Sequence, residues 1–365
     1  MTNLFFRTNV APYRIDTYNI LHDSMNFELF FLYDKDSSQP FDMNAMYERC
    51  HFTPHILRTV SLFKKKYKIC TEIGKLIRQY QPQVIIVPEF KIITLQVLLF
   101  RLLHQKNFKV ISMCDDSYDM VANDNDFSWL HKMARKIIVP HLTDILLVDK
   151  KVVRWYQEHY NKGIWLPILR DEKLEVEAYR QAETISDTFV EKYKLEGKSV
   201  LLYVGRLVKL KNLSLVLKSI NKCKEDFTFV IVGSGDEESN LKDLAIECGH
   251  EVIFAGRYEG NDVKAWYNIA DVFVLASYLE PYGAVTNEAL LAGCQCVVSK
   301  NCGSSCLIDD NNGVVVDPYD EESISLAIDE LMTKCKNRKL KKYPKINLMQ
   351  ISFDDVMNEI RTKIL

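Results

Sequence analysis

The chain of 365 residues is too long for one ordinary hydrophobic core and about right for two domains. Its composition, 47% hydrophobic and 26% charged, is typical of a soluble globular protein. The net charge of −2 gives no electrostatic argument for nucleic-acid binding, and no apolar run approaches the roughly 18 residues that span a bilayer.

In the first half of the chain, short apolar runs alternate with helical patterns. The predicted strands are a short first strand and then FELFFLYD, VIIVP, FKVISMCD and DILLVD. Continuous apolar strands with helices between them predict a parallel sheet that is covered on both faces.

Polar residues follow several of these strands, at the edge where open parallel sheets bind ligands. Asp115 and Asp116 come after FKVISM and Cys114, and Glu89 comes after VIIVP. Tyr13 and Arg14 follow the first strand. We expect these side chains to face a ligand, although the two aspartates could equally cap the next helix and Arg14 could equally balance surface charge.

The segment from Pro167 to Lys198 is polar and has no strand pattern, which places a domain boundary there. We predict domains at 1–170 and 171–345, followed by a last segment, 346–365. Its stretch FDDVMNEIRTKIL is amphipathic, and the pattern alone does not identify its partner.

The second half repeats the alternation, which predicts a second doubly wound domain. Its strands are SVLLYVG, FTFVIVG, EVIFAG, VFVLAS, CQCVVS and GVVVD. Helical stretches such as LSLVLKSINKC and SNLKDLAIECG lie between them. The class is therefore α/β with two parallel sheets.

Two strand ends of this half carry residues suited to phosphate. Gly205, Arg206 and Lys211 follow the first strand, and two cations at a helix start suit a diphosphate, although a solvated helix start has the same composition. Gly233 opens GSGDEE, which resembles a dinucleotide fingerprint except that Glu238 stands at the third glycine position. A tight turn explains that motif better.

The stretch SYLEPYGAVTNEALLAG, from Ser277 to Gly293, contains two glutamates that are separated by seven residues. Glu280 is predicted in a loop and Glu288 in a helix that ends at Gly293. A half-buried Glu288 needs hydroxyl or N–H partners, and a ribose diol offers two hydroxyls. The alternative is an exposed glutamate on a surface helix.

These motifs together resemble the retaining glycosyltransferases of family 4, also called glycosyl transferases group 1, which have the GT-B fold. The resemblance covers Val200 to Asp317 and includes VIFAGR and WYNIADVFVLAS. It implies two Rossmann-like domains facing across a cleft, the first binding the acceptor, with the C-terminal helix returning to the first domain. Departures from the pattern are Gln295 in place of the usual proline, no glycine pair in the opening loop, and Cys114 where relatives carry a histidine.

The resemblance also assigns roles to residues. Glu288 would bind the ribose, Arg206 and Lys211 the diphosphate, and Glu280 the sugar. The predicted catalytic residues are Glu280, Arg206, Lys211, Asp115 and Asp116. The predicted donor-binding residues are Glu288, Gly205, Gly233, Arg257, Tyr258, Tyr282, Gly283, Ala284 and Val285. At Arg257 and Tyr258 the backbone, not the side chains, is expected to lie beside the base. The predicted acceptor-side residues are Arg14, Tyr13 and Glu89.

The resulting hypothesis is a hexosyltransferase that moves a sugar from a UDP- or GDP-sugar to a glycan or lipid-linked acceptor, with retention, in surface polysaccharide synthesis. It needs no cofactor and no metal, because the cations can neutralise the diphosphate. The ten scattered cysteines and an N-terminus without a secretory signal predict a cytoplasmic location, with contact to the inner membrane face left open. The alternatives are a nucleotide-sugar-binding protein without turnover and an NAD-dependent oxidoreductase.

Three further patterns have a second interpretation. Asp34 with Asp36, and Asp124 with Asp126, resemble the metal-binding pair of a different transferase fold. Cys294, Cys296, Cys302 and Cys306 could bind zinc, although buried strand cysteines more often pack in a core. The run from Phe63 to Lys68, with HKMARK and Trp129, could contact an anionic membrane or form a solvated helix face.

Overall fold

The structure is a computed structural model that describes residues 2–33, 43–62, 67–123, 125, 128–336 and 343–365. It consists of two compact units, the first formed by Met1–Leu169 with Phe353–Leu365 and the second by Arg170–Ser352. Asp34, Asp36, Asp124 and Asp126 lie outside the described residues, as do the first four residues of the run from Phe63 to Lys68.

The first unit is built around a parallel sheet. Its strands are β1 (Asn3–Arg7), β2 (Phe27–Phe31), β3 (His55–Ile56), β4 (Thr59–Leu62), β5 (Tyr67–Cys70), β6 (Val84–Pro88), β7 (Lys109–Cys114), β8 (Asp144–Leu147) and β9 (Ile164–Trp165). Its helices up to this point are α1 (Ile15–Asp23), α2 (Met43–Glu48), α3 (Ile73–Tyr80), α4 (Ile92–Leu103), α5 (Tyr118–Ala122), α6 (Trp129–Ile138) and α7 (Lys150–Tyr160).

The strand order of this sheet is β3-β2-β1-β6-β7-β8-β9, and β4 and β5 form a separate antiparallel pair. Every residue of β1 and of β6 is buried, because helices cover both faces of the sheet. The order reverses between β1 and β6, which creates a crevice at the carboxyl ends of these two strands.

The second unit has the same architecture. Its helices are α8 (Glu172–Gln181), α9 (Glu183–Lys192), α10 (Leu213–Ile220), α11 (Glu238–Ile246), α12 (Gly260–Ile269), α13 (Val285–Leu291) and α14 (Glu321–Lys336). Its strands are β10 (Val200–Val204), β11 (Thr228–Val232), β12 (Glu251–Gly256), β13 (Val272–Leu275), β14 (Gln295–Ser299) and β15 (Gly313–Val316). All strand pairs are parallel in the order β12-β11-β10-β13-β14-β15, which reverses between β10 and β13.

The last helix, α15 (Phe353–Ile364), belongs to the first unit. The Lys109 ammonium at the start of β7 donates to the Ile364 carbonyl oxygen at 3.2 Å. The predicted α/β class with two parallel sheets is confirmed. None of the described helices combines the length and the apolar character needed to cross a membrane.

Candidate functional site

The predicted polar residues cluster at the two points where strand order reverses. In the second unit, Gly205 and Arg206 follow β10, and the loop that contains Glu280 follows β13. In the first unit, Glu89 follows β6 and Asp115 follows β7. Both sets therefore lie at the edge where doubly wound sheets bind ligands.

Lys211 and Glu280 form an ion pair at the crossover of the second unit. Lys211 ends a short 3₁₀ turn (Lys209–Lys211) between β10 and α10, and its ammonium donates to the Glu280 carboxylate. The two side chains are 15% and 18% exposed, so the pair is mostly buried and still reachable from solvent. The Tyr278 N–H donates to the Leu210 carbonyl oxygen at 2.9 Å, which ties the two loops together.

Tyr203 lies beneath this pair and connects it to Arg206. Its hydroxyl donates to the Arg206 carbonyl oxygen at 2.9 Å, while the Arg206 side chain is exposed. Burial raises the pKa of the Tyr203 phenol, the nearby Glu280 carboxylate raises it further, and Arg206 opposes the shift. Arg206, Lys211 and Glu280 therefore share one neighbourhood. Sequence reasoning missed Tyr203 because a tyrosine in an apolar strand is an ordinary core residue.

The backbone of the Glu280 loop is fixed by the segment that follows β14. The Gly303 N–H donates to the Glu280 carbonyl oxygen at 3.2 Å, and the Ser304 N–H donates to the Tyr282 carbonyl oxygen at 2.8 Å. Gly283 has a φ of +91°, and a Cβ there would lie 2.7 Å from a Leu275 methyl group. Only glycine fits this position without strain. The turn at Gly283 therefore sets the direction in which the chain continues through Ala284 and Val285 into α13.

Glu288 lies in the first turn of α13 and is partly exposed. Burial raises the pKa of the Tyr267 phenol well above its usual range, and the Glu288 carboxylate beside it adds to the shift. The Tyr179 hydroxyl donates to the Glu288 carbonyl oxygen at 2.8 Å. The Glu288 carboxylate thus lies close to Tyr267 of α12, and no described side-chain contact joins it to Arg206, Lys211 or Glu280.

The glycines of GSGDEE are explained by close packing of backbone against backbone. A Cβ on Gly233 would lie 1.8 Å from the Gly205 carbonyl oxygen, and one on Gly235 would lie 2.3 Å from the Leu207 carbonyl oxygen. The Leu207 N–H also donates to the Ser234 carbonyl oxygen at 2.9 Å. The loops after β10 and β11 therefore support each other, which accounts for these glycines without a dinucleotide.

The side chains of Arg257 and Tyr258, after β12, contact neighbours within the second unit. The Arg257 Nε donates to the Glu259 carboxylate at 3.1 Å. The hydroxyls of Tyr258 and Tyr193 lie 3.3 Å apart, and the Tyr258 ring lies 5.2 Å from that of Phe189. The contact of the base with the backbone here stays a prediction.

The first unit has a cavity of about 210 Å³ at its own crossover. Asp115 lies in its wall and accepts hydrogen bonds from Arg7 at 2.6 Å and from Arg14 at 2.9 Å. Burial alone would raise the pKa of the Asp115 carboxyl, but the two guanidinium groups outweigh burial and lower this pKa to about 2. Asp115 is therefore ionised at neutral pH and suits hydrogen-bond acceptance better than proton transfer.

The acceptor-side residues fall at different depths around this cavity. Tyr13, 38% exposed, and Glu89 line the cavity, whereas Arg14 is 1% exposed beneath Asp115 and is absent from the lining. Arg7 and Lys91 also line it, and the sequence reasoning missed both. Arg7 is the last residue of β1, so the strand-end argument used for Asp115 would have found it.

Asp116 points away from this cavity. Its side chain is 1% exposed, and its Oδ2 accepts hydrogen bonds from the Arg135 Nε at 3.1 Å and from the Tyr156 hydroxyl at 2.7 Å. The next helix, α5, is capped by Ser117 and not by either aspartate. These contacts favour a structural role for Asp116, and its catalytic role stays a prediction without geometric support.

Cys114 is fully buried at the end of β7. Burial raises the pKa of its thiol well above the usual range, and the carboxylates of Asp116 and Glu89 add to the shift. A histidine does lie nearby, but it comes from α6. The His131 ring is 5.3 Å from the Phe90 ring, and its Nε2 is 3.7 Å from the Asp116 carboxylate.

The zinc interpretation finds no support in the structure. Among the described residues, no three His, Cys, Asp or Glu side chains lie close enough together to hold a metal ion. The thiols of Cys294 and Cys302 instead donate to backbone carbonyl oxygens, of Tyr267 at 3.3 Å and of Leu275 at 3.7 Å. These cysteines pack in the core of the second unit.

A larger cavity of about 920 Å³ lies at the opposite edge of the second sheet. Its lining includes Ser199, Thr228 and Glu251, which stand at or just before the starts of β10, β11 and β12. Ligands of doubly wound sheets bind at the carboxyl ends of the strands. The size of this cavity therefore does not make it the better candidate.

Comparison with known proteins supports the glycosyltransferase hypothesis. Residues 185–345 match the family model of glycosyl transferases group 1. The matched residues lie within the second unit, Arg170–Ser352. The match ends at residue 345 and covers all six strands of the second sheet, together with Arg206, Lys211, Glu280 and Glu288.

Relatives of the chain carry glycosyltransferase names. The chain is 35% identical over 143 residues to the uncharacterized glycosyltransferase MJ1607 of Methanocaldococcus jannaschii, covering 38% of this chain and 37% of that protein. It is 32% identical over 150 residues, 40% of this chain and 41% of the relative, to an α-1,4-N-acetyl-D-galactosaminyltransferase of Campylobacter jejuni. The chain thus spans about two fifths of the curated relatives it matches.

Solved structures extend the likeness to both units. HepE from Anabaena, in complex with UDP and glucose, has a TM-score of 0.71 at 14% identity. The match covers 100% of this chain and 99% of HepE. At this identity the likeness establishes the shared fold and nothing about the ligand.

Proposed function

We propose that the protein is a glycosyltransferase that moves a hexose from a UDP- or GDP-sugar to a glycan or lipid-linked acceptor. The observation that carries this proposal is the Lys211–Glu280 pair at the β10/β13 crossover, within the residues that match the group 1 family model. A cation and a carboxylate fixed side by side offer complementary partners to a sugar diphosphate. The cation meets phosphate oxygens, and the carboxylate accepts sugar hydroxyls.

The donor would lie along the ends of β10, β13 and α13. The Arg206 side chain is exposed, and no described residue makes a hydrogen bond or ion pair with its guanidinium. This side chain can therefore rotate towards the diphosphate. Glu288 would bind the ribose from the first turn of α13, where its carboxylate lies close to the buried Tyr267 phenol. The N–H groups of Thr286, Asn287 and Glu288 are already bonded to the carbonyl oxygens of Gly283 and Ala284, so the loop backbone around Tyr282, Gly283 and Ala284 would supply the N–H groups that meet the sugar.

The chemistry assigned to these residues is charge stabilisation. Lys211 and Arg206 would stabilise the leaving diphosphate without a metal ion, and this diphosphate can take the acceptor's proton. This route, with retention at the sugar, needs no protein base. It agrees with the lowered pKa of Asp115, which leaves that carboxylate a poor base near pH 7.

The acceptor is inferred from relatives. The Campylobacter jejuni protein is named for an undecaprenol-linked acceptor, and another relative, LpsE of Rhizobium meliloti, is named for lipopolysaccharide core biosynthesis. We therefore place the reaction in surface polysaccharide synthesis. All ten cysteines are free thiols, which fits a reducing, cytoplasmic compartment.

A thermal-shift panel of UDP, GDP, ADP and their sugars tests the proposal. A ligand at a hundredfold excess over its Kd stabilises the fold by about 3 kcal/mol. Glu288→Ala should abolish the shift for every nucleotide, whereas Glu280→Ala should mainly abolish the additional shift from the sugar. Glu330→Gln, on the exposed side of α14, is the matched control and should change neither.

A second measurement separates enzyme from binder. Wild-type protein should hydrolyse or transfer from the stabilising donor, and Glu280→Gln should lose that turnover while still melting at the wild-type temperature. Stabilisation by a nucleotide sugar without any turnover would favour the binding protein instead. Stabilisation by NAD alone would contradict the proposal outright.

A further inference from the structure

Three helices of the first unit cover one face of its sheet. Ile73 and Ile77 of α3, Val97 and Phe100 of α4, and Ile138 of α6 belong to one continuous core cluster. The Arg101 guanidinium at the end of α4 donates to the His141 carbonyl oxygen just after α6, at 2.5 Å. The outward sides of α3, α4 and α6 therefore form one surface, which we call the α3–α4–α6 face.

This face is apolar on the side turned to solvent. Surface helices normally place polar residues there. Instead, α4 exposes Leu95, Leu99, Leu102 and Leu103, which are 46%, 55%, 73% and 68% exposed. The neighbouring α6 exposes Trp129, Leu130, Met133 and Ile137. Within each helix these residues recur at helical spacing, so each set forms a stripe, and exposed stripes of this kind indicate a binding surface.

The charged side chains of the three helices themselves are all basic. The sequences of α3, α4 and α6 contain no aspartate and no glutamate. They carry Lys75 and Arg78 on α3, and Lys132 and Lys136 on α6. The whole chain has 49 acidic and 47 basic residues, so the missing acids are a local feature. An apolar stripe flanked by cations is the pattern of helices that lie on anionic membranes.

We propose that the α3–α4–α6 face binds the surface of an anionic phospholipid bilayer. The leucines of α4 and the Trp129 stripe of α6 would enter the boundary between headgroups and acyl chains, while the exposed Lys75, Arg78 and Lys136 would meet lipid phosphates. Charge complementarity selects this occupant over a second copy of the chain, which would oppose cations to cations. The inference does not depend on the proposed function.

Vesicle flotation of the full chain tests the electrostatic part. Wild-type protein should float with vesicles of equal parts phosphatidylcholine and phosphatidylglycerol, should not float with phosphatidylcholine alone, and should detach as salt is raised. Lys75→Glu with Lys136→Glu should weaken binding by about tenfold or more, since each cation near an anionic surface contributes measurably. The matched control is Lys192→Glu with Lys218→Glu, on α9 and α10, which changes net charge equally.

Trp129 provides a direct probe of insertion, because the other three tryptophans are buried or half-buried. Brominated acyl chains should quench wild-type tryptophan fluorescence on binding, and Trp129→Phe should remove most of that quenching while keeping flotation. Leu99→Glu with Leu102→Glu should abolish flotation, whereas Ile246→Glu on α11 should not. Each variant must melt at the wild-type temperature.

Three results would overturn the proposal. They are no flotation of the wild type with phosphatidylglycerol vesicles at low salt, equal weakening by the two lysine pairs, or quenching that survives in Trp129→Phe. A concentration-dependent dimer in light scattering that Leu99→Glu with Leu102→Glu dissociates would assign the face to self-association instead.

Discussion

Asp116 gives the sharpest test of how the first unit uses its two adjacent aspartates. Its carboxylate is paired with Arg135, and the two side chains are 1% and 4% exposed. Asp116→Asn keeps the shape of the side chain but removes the buried carboxylate that accepts hydrogen bonds from the Arg135 Nε and the Tyr156 hydroxyl. Breaking one partner of such a pair costs about 3–5 kcal/mol. For a unit of this size that corresponds to a loss of roughly 10 °C or more in melting temperature.

Differential scanning calorimetry is the appropriate assay, because the two units can unfold in separate transitions. Asp23→Asn is a control in the same unit: its partner is His51, both side chains are about half exposed, and such a pair contributes under about 1 kcal/mol. Asp116→Leu combined with Arg135→Met should be more stable than Asp116→Leu alone, since the double change removes both buried charges. Wild-type melting of Asp116→Asn, with loss of sugar transfer, would refute the structural role and support the catalytic one.

Two further predictions concern the crossovers. Gly233→Ala should destabilise the second unit by at least about 3 kcal/mol, because its Cβ would lie 1.8 Å from the Gly205 carbonyl oxygen. The control variant Gly249→Ala, whose Cβ would have no atom within 4 Å, should melt like the wild type. Equal melting of both variants would contradict this packing. Since the pKa of Asp115 is lowered to about 2, the folded state binds fewer protons than the unfolded one, so this group's contribution to stability is present above about pH 4 and is lost as pH falls towards 2. Asp115→Asn should flatten that part of the acid-denaturation curve. It should leave any pH dependence of the activity between pH 5 and 8 unchanged. Loss of that pH dependence in the variant would instead identify Asp115 as a proton-transfer group.

The strands, and the positions of the candidate donor residues after them, could be predicted from the sequence because their signals are local. Runs such as VIIVP and SVLLYV are buried on both faces, and this burial requires apolar residues without alternation. The conclusion that Lys211 and Glu280 meet combines two local signals with the rule that parallel strands end at one edge. The structure brings these two side chains, 69 residues apart, into direct contact, while their roles towards a ligand stay a prediction.

The different fates of Asp115 and Asp116 could not be predicted, because they depend on distant partners. Successive side chains at a strand end point to opposite sides, but no local pattern shows which side holds Arg7 and Arg14 and which holds Arg135 and Tyr156. GSGDEE poses the same difficulty. A glycine required by a neighbouring carbonyl group looks identical in sequence to one required by a cofactor, and only the closeness of Gly205 to Gly233 distinguishes the two.

Both units place a cation from the end of one strand or the turn after it beside an acid from the loop after another strand: Arg7 beside Asp115, and Lys211 beside Glu280. Each partner lowers the cost of burying the other, so charged groups can remain partly covered at a ligand-binding edge. The Lys211–Glu280 pair is neutral and attracts no ion from a distance, whereas Asp115 with Arg7 and Arg14 carries a net positive charge. At contact, however, the Lys211–Glu280 pair offers a donor for phosphate and an acceptor for a hydroxyl within hydrogen-bonding distance of each other. A sugar phosphate carries the complementary groups, a phosphate that accepts and hydroxyls that donate. The weak net charge of the chain is therefore compatible with a polar, multiply charged substrate, because the recognition is local.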